Sequence, residues 1–203
     1  MCEITWTHPF LYEVLAYIPL ETSTLIDVGC GKGIIGALMR MYRCPKRLVA
    51  IDAFKPYLDF CKKHNLYDEF LQFDLTNLPL PFNNMEFDVA TCIEVIEHLP
   101  KKLGFKLLEE LERIAKKVVV TTPSIFFAQK FYNNNPHQAH LSVWTSKEFS
   151  CRGYKVQIFG KIEAINIKYL YPSESFKAKI FARARTIIKK LFTVNEYIIA
   201  TKP

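Results

Sequence analysis

Thr24-Leu-Ile-Asp-Val-Gly-Cys-Gly-Lys-Gly-Ile-Ile-Gly36 is the stretch on which the rest of the chain depends. Leu25, Ile26 and Val28 read as a short buried strand with β-branched residues at its core. Gly29, Gly31 and Gly33 follow at alternate positions, where glycine permits tight turning, positive φ and close approach of a ligand to bare backbone. Residues 34–41 then predict a helix whose amide-rich N-terminus faces that loop. Strand, glycine loop and helix in this order are arranged to hold a nucleotide-like ligand.

Working outward, the same alternation continues. Arg47-Leu-Val-Ala-Ile-Asp52 is a second apolar strand ending in an acid, and residues 55–64 are helical in pattern. Phe70-Leu-Gln-Phe-Asp74 reads as a third such strand, followed by a loop through Pro79 and Pro81. Phe87-Asp-Val-Ala-Thr-Cys-Ile93 is a fourth strand and Val118-Val-Val-Thr-Thr-Pro123 a fifth. Between them, residues 101–116 carry Leu103, Leu107, Leu108, Leu111 and Ile114 at helical spacing. Apolar strands alternating with such connections predict a parallel sheet covered on both faces. Ligands of such sheets bind at the carboxyl ends of the strands, where Asp27, Asp52, Asp74 and Ile93 all fall. Upstream, residues 9–18 predict a short amphipathic helix stopped at Pro19.

The last third changes character. Residues 124–139 are rich in aromatics and asparagine, with Phe126, Phe127, Phe131 and Tyr132. Thr145-Ser-Lys-Glu148 is a capping box opening a short helix. Residues 154–159 and 195–201 predict strands. Between them residues 175–192 form a basic helix with Phe176, Ile180, Ala184, Ile187 and Leu191 on one face. No linker or repeat marks a boundary, so residues 1–203 are expected to form one domain.

The glycines admit two registers. Gly31-x-Gly33-x-x-Gly36 matches the dinucleotide fingerprint, with Asp52 near the spacing of its ribose acid. That register runs the strand to Cys30 and buries Asp27 deep within it, which is costly. A turn starting at Gly29 instead places Asp27 near the strand's end. This second pattern, Asp27-Val-Gly29-Cys-Gly31-Lys-Gly33, resembles motif I of the class I S-adenosylmethionine (SAM) methyltransferases. Two further anchors carry the resemblance: Phe87-Asp-Val-Ala-Thr-Cys-Ile-Glu-Val-Ile-Glu-His-Leu-Pro100, and His140-x-x-x-Trp144-Thr-Ser-Lys-Glu148-Phe. It covers roughly residues 20–160 and is closest in flavour to the quinone-biosynthesis O-methyltransferases.

The resemblance implies a doubly wound, mostly parallel seven-stranded α/β sheet with helices on both faces. It implies that Gly29, Gly31 and Gly33 hold the methionine and ribose end of SAM, and that Asp52 accepts hydrogen bonds from the ribose hydroxyls. Asp74 with the Leu75 amide would read the adenine edge, and the Ile93 carbonyl would take the SAM amino group. Residues 1–23 would supply an N-terminal helix, and residues 124–144 and 161–192 acceptor-facing insertions, the first with its aromatics over the acceptor.

Methyl transfer to oxygen or nitrogen asks the protein for alignment and for removal of a proton. His98 and His140 are the candidate bases. Glu94-x-x-Glu97-His98 puts two carboxylates and an imidazole on one turn, a set able to share a divalent ion such as Mg²⁺ or Mn²⁺, with His140 as a fourth ligand. Some quinone O-methyltransferases and the small-RNA 3′-terminal 2′-O-methyltransferases resemble this pattern and use a metal there. The expected function is SAM-dependent methylation of an oxygen or nitrogen on a small or lipid-like acceptor. The alternatives are a metal-dependent 2′-O-methyltransferase of RNA ends and a non-catalytic SAM-binding regulatory subunit. No Asn/Asp-Pro-Pro-Tyr follows the fourth strand, which disfavours nucleobase amino groups as acceptors. Cys92 lacks the Pro-Cys pairing of cytosine-C5 enzymes.

The totals bound the rest. The chain has 203 residues and a formal charge of +7, with a pI near 9.0. That permits an anionic partner, nucleic acid or a membrane surface, through the basic helix 175–192 without demanding one. The six cysteines (2, 30, 44, 61, 92 and 151) are scattered, and no disulfide framework or zinc site is legible. Neither a signal peptide nor a membrane-spanning apolar run is seen, so a cytoplasmic protein is expected. The oligomeric state is left open.

Overall fold

A computed structural model describes residues 11–124, 134–159 and 197–203. Five strands follow one another in parallel: β1 (Thr24–Val28), β2 (Arg47–Asp52), β3 (Glu69–Gln72), β4 (Phe87–Ile93) and β5 (Ala115–Pro123). Two more, β6 (Lys155–Phe159) and β7 (Tyr197–Lys202), are antiparallel to each other, and β7 is antiparallel to β5. The sheet order is β3-β2-β1-β4-β5-β7-β6, seven strands among the described residues. The doubly wound, mostly parallel architecture expected from the sequence is therefore the one observed.

Alternation along the strands divides the interior into two layers. Leu25 of β1 and Leu48 of β2 pack with Leu11, Ile35 and Leu58 from α1 (Leu11–Tyr17), α2 (Ile34–Tyr42) and α3 (Lys55–Lys63). Their neighbours Ile26 and Val49 face the other way. They pack with Leu107, Leu111 and Phe149 from α4 (Lys101–Ile114) and α5 (Ser146–Cys151). Each of these fully buried aliphatic side chains contributes about 1.5–3 kcal/mol of burial free energy. α5 opens with the capping box read from the sequence. The Thr145 hydroxyl accepts from the Glu148 amide, and the Glu148 carboxylate accepts from the Thr145 amide.

Some boundaries differ from expectation. β3 stops at Gln72, two residues short of Asp74, because Asp74 turns to cap the short 3₁₀ turn Leu75–Asn77. α4 stops at Ile114, and β5 starts at once with Ala115. Residues 115–117 sit in register with β4 and give up helical pairing for the sheet ladder. Phe126, Phe127, Phe131, Tyr132 and the basic stretch 175–192 lie outside the described residues. Among the described residues no helix is long and apolar enough to cross a membrane.

The chain order reverses at β1, which pairs with β2 on one side and β4 on the other. A crevice at the carboxyl ends of the strands is expected at such a switch point.

Candidate functional site

The loop after β1 is held by its own backbone. Gly29, Gly31 and Gly33 have φ of 76°, 53° and 79°, left-handed values that glycine adopts freely. The amides of Gly29 and Cys30 donate to the Ile51 carbonyl at 2.8 and 2.9 Å, tying the loop to the end of β2. The Gly31 amide donates to Asp52 Oδ2 at 2.9 Å, and the Phe54 amide donates to Oδ1 at 2.8 Å. Burial raises the Asp52 carboxyl above its ordinary value, and these amides oppose that rise.

The two registers of the glycines are now distinguishable. A Cβ at Gly31 would meet nothing within 4 Å, so the backbone there lies open to a ligand. A Cβ at Gly36 would sit 2.5 Å from Tyr67 Cζ. Gly36, the residue that completes the dinucleotide fingerprint, is therefore required by a packed tyrosine. β1 ends at Val28, as the turn starting at Gly29 demands. Asp27 is nonetheless only 2 % exposed. The Tyr67 hydroxyl donates to its Oδ2 at 2.6 Å and the Thr91 hydroxyl to its Oδ1 at 2.7 Å. Burial pushes its carboxyl up to about 6, against the pull of those two hydroxyls.

A cavity of about 1000 Å³ opens at this end of the sheet. All eight residues assigned to a cofactor from the sequence line it: Asp27, Gly29, Gly31, Gly33 and Asp52 on one side, Asp74, Leu75 and Ile93 on the other. Asp74 Oδ1 also accepts from the Thr76 amide at 2.9 Å. Glu94 and His98 line the same cavity, and Glu97 and His140, which do not line it, are close to His98.

This side of the cavity is built on the end of β4. Glu94 has φ of 56°, an uncommon value for a residue with a side chain. Its amide donates to the Thr121 carbonyl at 3.1 Å, and its carboxylate accepts from the Thr121 hydroxyl at 2.7 Å. A 3₁₀ turn, Ile96–His98, follows. The Glu97 carbonyl accepts from the amides of Leu141 and Ser142 at 2.8 and 3.0 Å, which pins the segment bearing His140 against this turn. Trp144 Nε1 donates to the Ser142 hydroxyl, which donates to the Ile96 carbonyl. Lys101 lies 3.8 Å above the Trp144 ring and pairs with Glu148.

Glu97, His98 and His140 each bring one ligating atom within 4.8 Å of the others. Glu94, read with them from the sequence, is not one of this three; its carboxylate is engaged by Thr121 of β5. The two imidazole rings are 4.9 Å apart, edge to face. His98 Nδ1 lies 3.1 Å from the Ala139 carbonyl. A carbonyl only accepts, so Nδ1 carries the proton and Nε2 keeps its lone pair. Burial pulls the His98 imidazole down to about 4. Burial pushes Glu97 up to about 8, and Glu94 well above the carboxylate range with Glu97 adding to it.

Several lining residues were not singled out individually from the sequence, though they lie within residues 124–144. Asn135, His137 and Gln138 reach the cavity from the segment after β5, and His137 favours the ionised form of Asp52. Asn135 is buried, and its Oδ1 accepts from the His137 amide at 2.9 Å. Tyr67 was missed altogether.

Residues 26–119 match the family described as Methyltransferase domain. The chain is 30% identical over 114 residues to the mitochondrial ubiquinone biosynthesis O-methyltransferase of Schizosaccharomyces pombe, covering 52% of this chain and 40% of that protein. It is 26% identical over 170 residues to the small RNA 2′-O-methyltransferase of Mus musculus, covering 69% of this chain and 41% of that one. It spans less than half the length of either relative. A SAM dependent methyltransferase from Archaeoglobus fulgidus shares the fold with a TM-score of 0.61 at 18% identity, over 95% of this chain and 91% of that one. The chain thus has the fold of a SAM dependent methyltransferase, and residues 26–119 are similar to a methyltransferase domain of which the quinone-biosynthesis O-methyltransferases are among the relatives.

Proposed function

We propose that this chain is a methyltransferase that transfers the methyl group of SAM to a hydroxyl oxygen of a small or lipid-like acceptor held beside Glu97, His98 and His140. The observation that carries this is the single cavity that joins all eight candidate cofactor residues to Glu94 and His98. Bare backbone at Gly31, with the Asp52 carboxylate beside it, suits a ribose and methionine lying along the loop. SAM bound there supplies a methyl on a sulfonium that is already a good leaving group. What remains for the chain is to align the acceptor and to dispose of its proton.

His98 suits ligation better than proton abstraction. A group that protonates near 4 is a poor acceptor for a hydroxyl proton at neutral pH, yet it always offers Nε2 to a metal. Glu97 and His140 complete a set of two nitrogens and an oxygen, which suits a borderline divalent ion such as Mn²⁺ better than the oxygen-seeking Mg²⁺. An ion held there would lower the pKa of an acceptor hydroxyl bound to it, so that the hydroxyl's proton could pass to solvent.

The character of the cavity favours an acceptor of low charge. Lys32 is the one lysine or arginine among the described residues that line it, against Asp27, Asp52, Asp74 and Glu94. Leu141, 57 % exposed, and Ile34 add apolar surface to the lining. A second reading, the 2′-hydroxyl of an RNA end, is favoured by the match to the mouse small RNA enzyme, which covers 69% of this chain. Methyl-labelled SAM offered with a dihydroxylated aromatic acid, or with an RNA oligonucleotide bearing a free 3′ end, separates the two. Label in the aromatic product is expected. Label in RNA alone overturns the acceptor class, and SAM binding without transfer to either supports the regulatory-subunit alternative.

A further inference from the structure

Tyr67 lies on the connection between α3 and β3 and has no role in the transfer described above. It is 4 % exposed. Its ring covers two glycines: a Cβ at Gly33 would sit 3.2 Å from its Cε2, and one at Gly36 only 2.5 Å from its Cζ. Its hydroxyl donates to Asp27 Oδ2 at 2.6 Å and accepts from the Gly36 amide at 3.0 Å. Gly36 is in the first turn of α2, where amides have no partner within the helix. The N-cap residue Gly33 has no side chain to supply one. Tyr67 does from 31 residues away what a serine or aspartate N-cap does locally.

We propose that Tyr67 is a positioning residue for the cofactor: through Asp27 and the Gly36 amide, its hydroxyl fixes the glycine loop against β1 in the form that binds SAM. The inference rests on the cofactor reading above. Asp27 lines the cavity, and its negative charge complements the sulfonium and ammonium of SAM. The groups that face it are Asp52 from β2, Thr91 and Cys92 from β4, Cys30 from the loop, Cys61 from α3 and Tyr67 itself. None of these is a cation. The charge on Asp27 is therefore set by burial against the two hydroxyls that donate to it, and losing either hydroxyl shifts its protonation to higher pH.

The test is calorimetric titration of SAM into the whole chain between about pH 5 and 9, for the wild type, Tyr67→Phe and Thr91→Val. Phenylalanine keeps the ring on Gly33 and Gly36 and removes only the hydroxyl. Wild-type affinity is expected to fall as pH drops through about 6. Tyr67→Phe should bind about tenfold more weakly near neutral pH, with its fall displaced upward. Thr91→Val should displace the fall in the same direction but lose less affinity, because the Gly36 amide keeps its partner. A purely structural tyrosine would lower the unfolding temperature and leave the pH midpoint in place, which overturns the proposal. If Tyr67→Phe does not fold, an unmoved midpoint in Thr91→Val overturns it instead. A wild type that binds no SAM at any pH overturns the cofactor reading and this proposal together. A wild type that binds SAM, with Tyr67→Phe matching it in affinity and midpoint, overturns this proposal alone.

Discussion

At the scale of single residues, Asp52 has two tasks. Its oxygens take the amides of Gly31 and Phe54, and the same carboxylate lines the cavity with acceptor capacity to spare. Asp52→Ala is expected to weaken SAM binding by about 1.5–3 kcal/mol, the size of charge-assisted hydrogen bonds, in calorimetry. Unchanged affinity in a folded variant would remove Asp52 from the site. Glu97→Gln keeps the shape of a residue whose Oε2 accepts from Thr122 but withdraws its charge. It should weaken Mn²⁺ binding by more than the roughly 10–100-fold typical of outer-shell changes, read by titration of the ion. Excess chelator should abolish turnover in the wild type, and full activity in chelator would reduce Glu97, His98 and His140 to structural residues. Acids such as Asp27 and Asp52 were legible in the sequence because each stands at the end of its own apolar run. Tyr67 was not, because its partner Asp27 lies 40 residues away and no local pattern links them.

At the scale of elements, β1, its glycine loop and α2 were readable because every cue acts within a few residues: β-branched strand, alternate glycines, apolar helix. The α4–β5 junction was not. Its Lys116 and Lys117 suit a helix end, but pairing with β4 draws residues 115–117 into the sheet. α4 carries a further constraint that periodicity does not reveal. Gly104 faces Trp144, and a Cβ there would lie 2.4 Å from Cζ2. Gly104→Ala gains up to about 1 kcal/mol of helix propensity and loses about 1–3 kcal/mol to overpacking. A lower urea midpoint is expected. Since Trp144 bonds Ser142, two residues from His140, weaker Mn²⁺ binding should accompany it. A midpoint that rises would show that Trp144 yields without cost.

At the scale of the whole molecule, buried groups couple stability to pH. Asp27 moves from 3.8 to about 6 and Glu97 from 4.5 to about 8, so the folded state keeps protons that the unfolded chain has already released. Both therefore lower stability as pH rises through those windows. His98, drawn from 6.5 down to about 4, acts oppositely: the unfolded chain binds the proton first, and stability rises with pH across that interval. Asp27 and His98 largely offset each other, and above His98's window Glu97 acts together with Glu94, whose carboxyl burial also holds well above the ordinary range. Urea unfolding of the metal-free protein is expected to show a loss of about 1–2 kcal/mol between pH 6.5 and 8. That loss should shrink in Glu97→Gln and on adding Mn²⁺, and a flat profile in the wild type would contradict the buried, ion-free state of Glu97. The strand order has its own consequence for how the chain is made. β7 is inserted between β5 and β6, and β6 pairs with β7. A ribosome delivers β5 and β6 long before β7, so the apolar edge at Val118 to Val120 waits unpaired during synthesis. Until residues 197–202 emerge, the nascent chain presents a sticky half-sheet to its neighbours, and its yield in a cell should depend on chaperones that cover that edge.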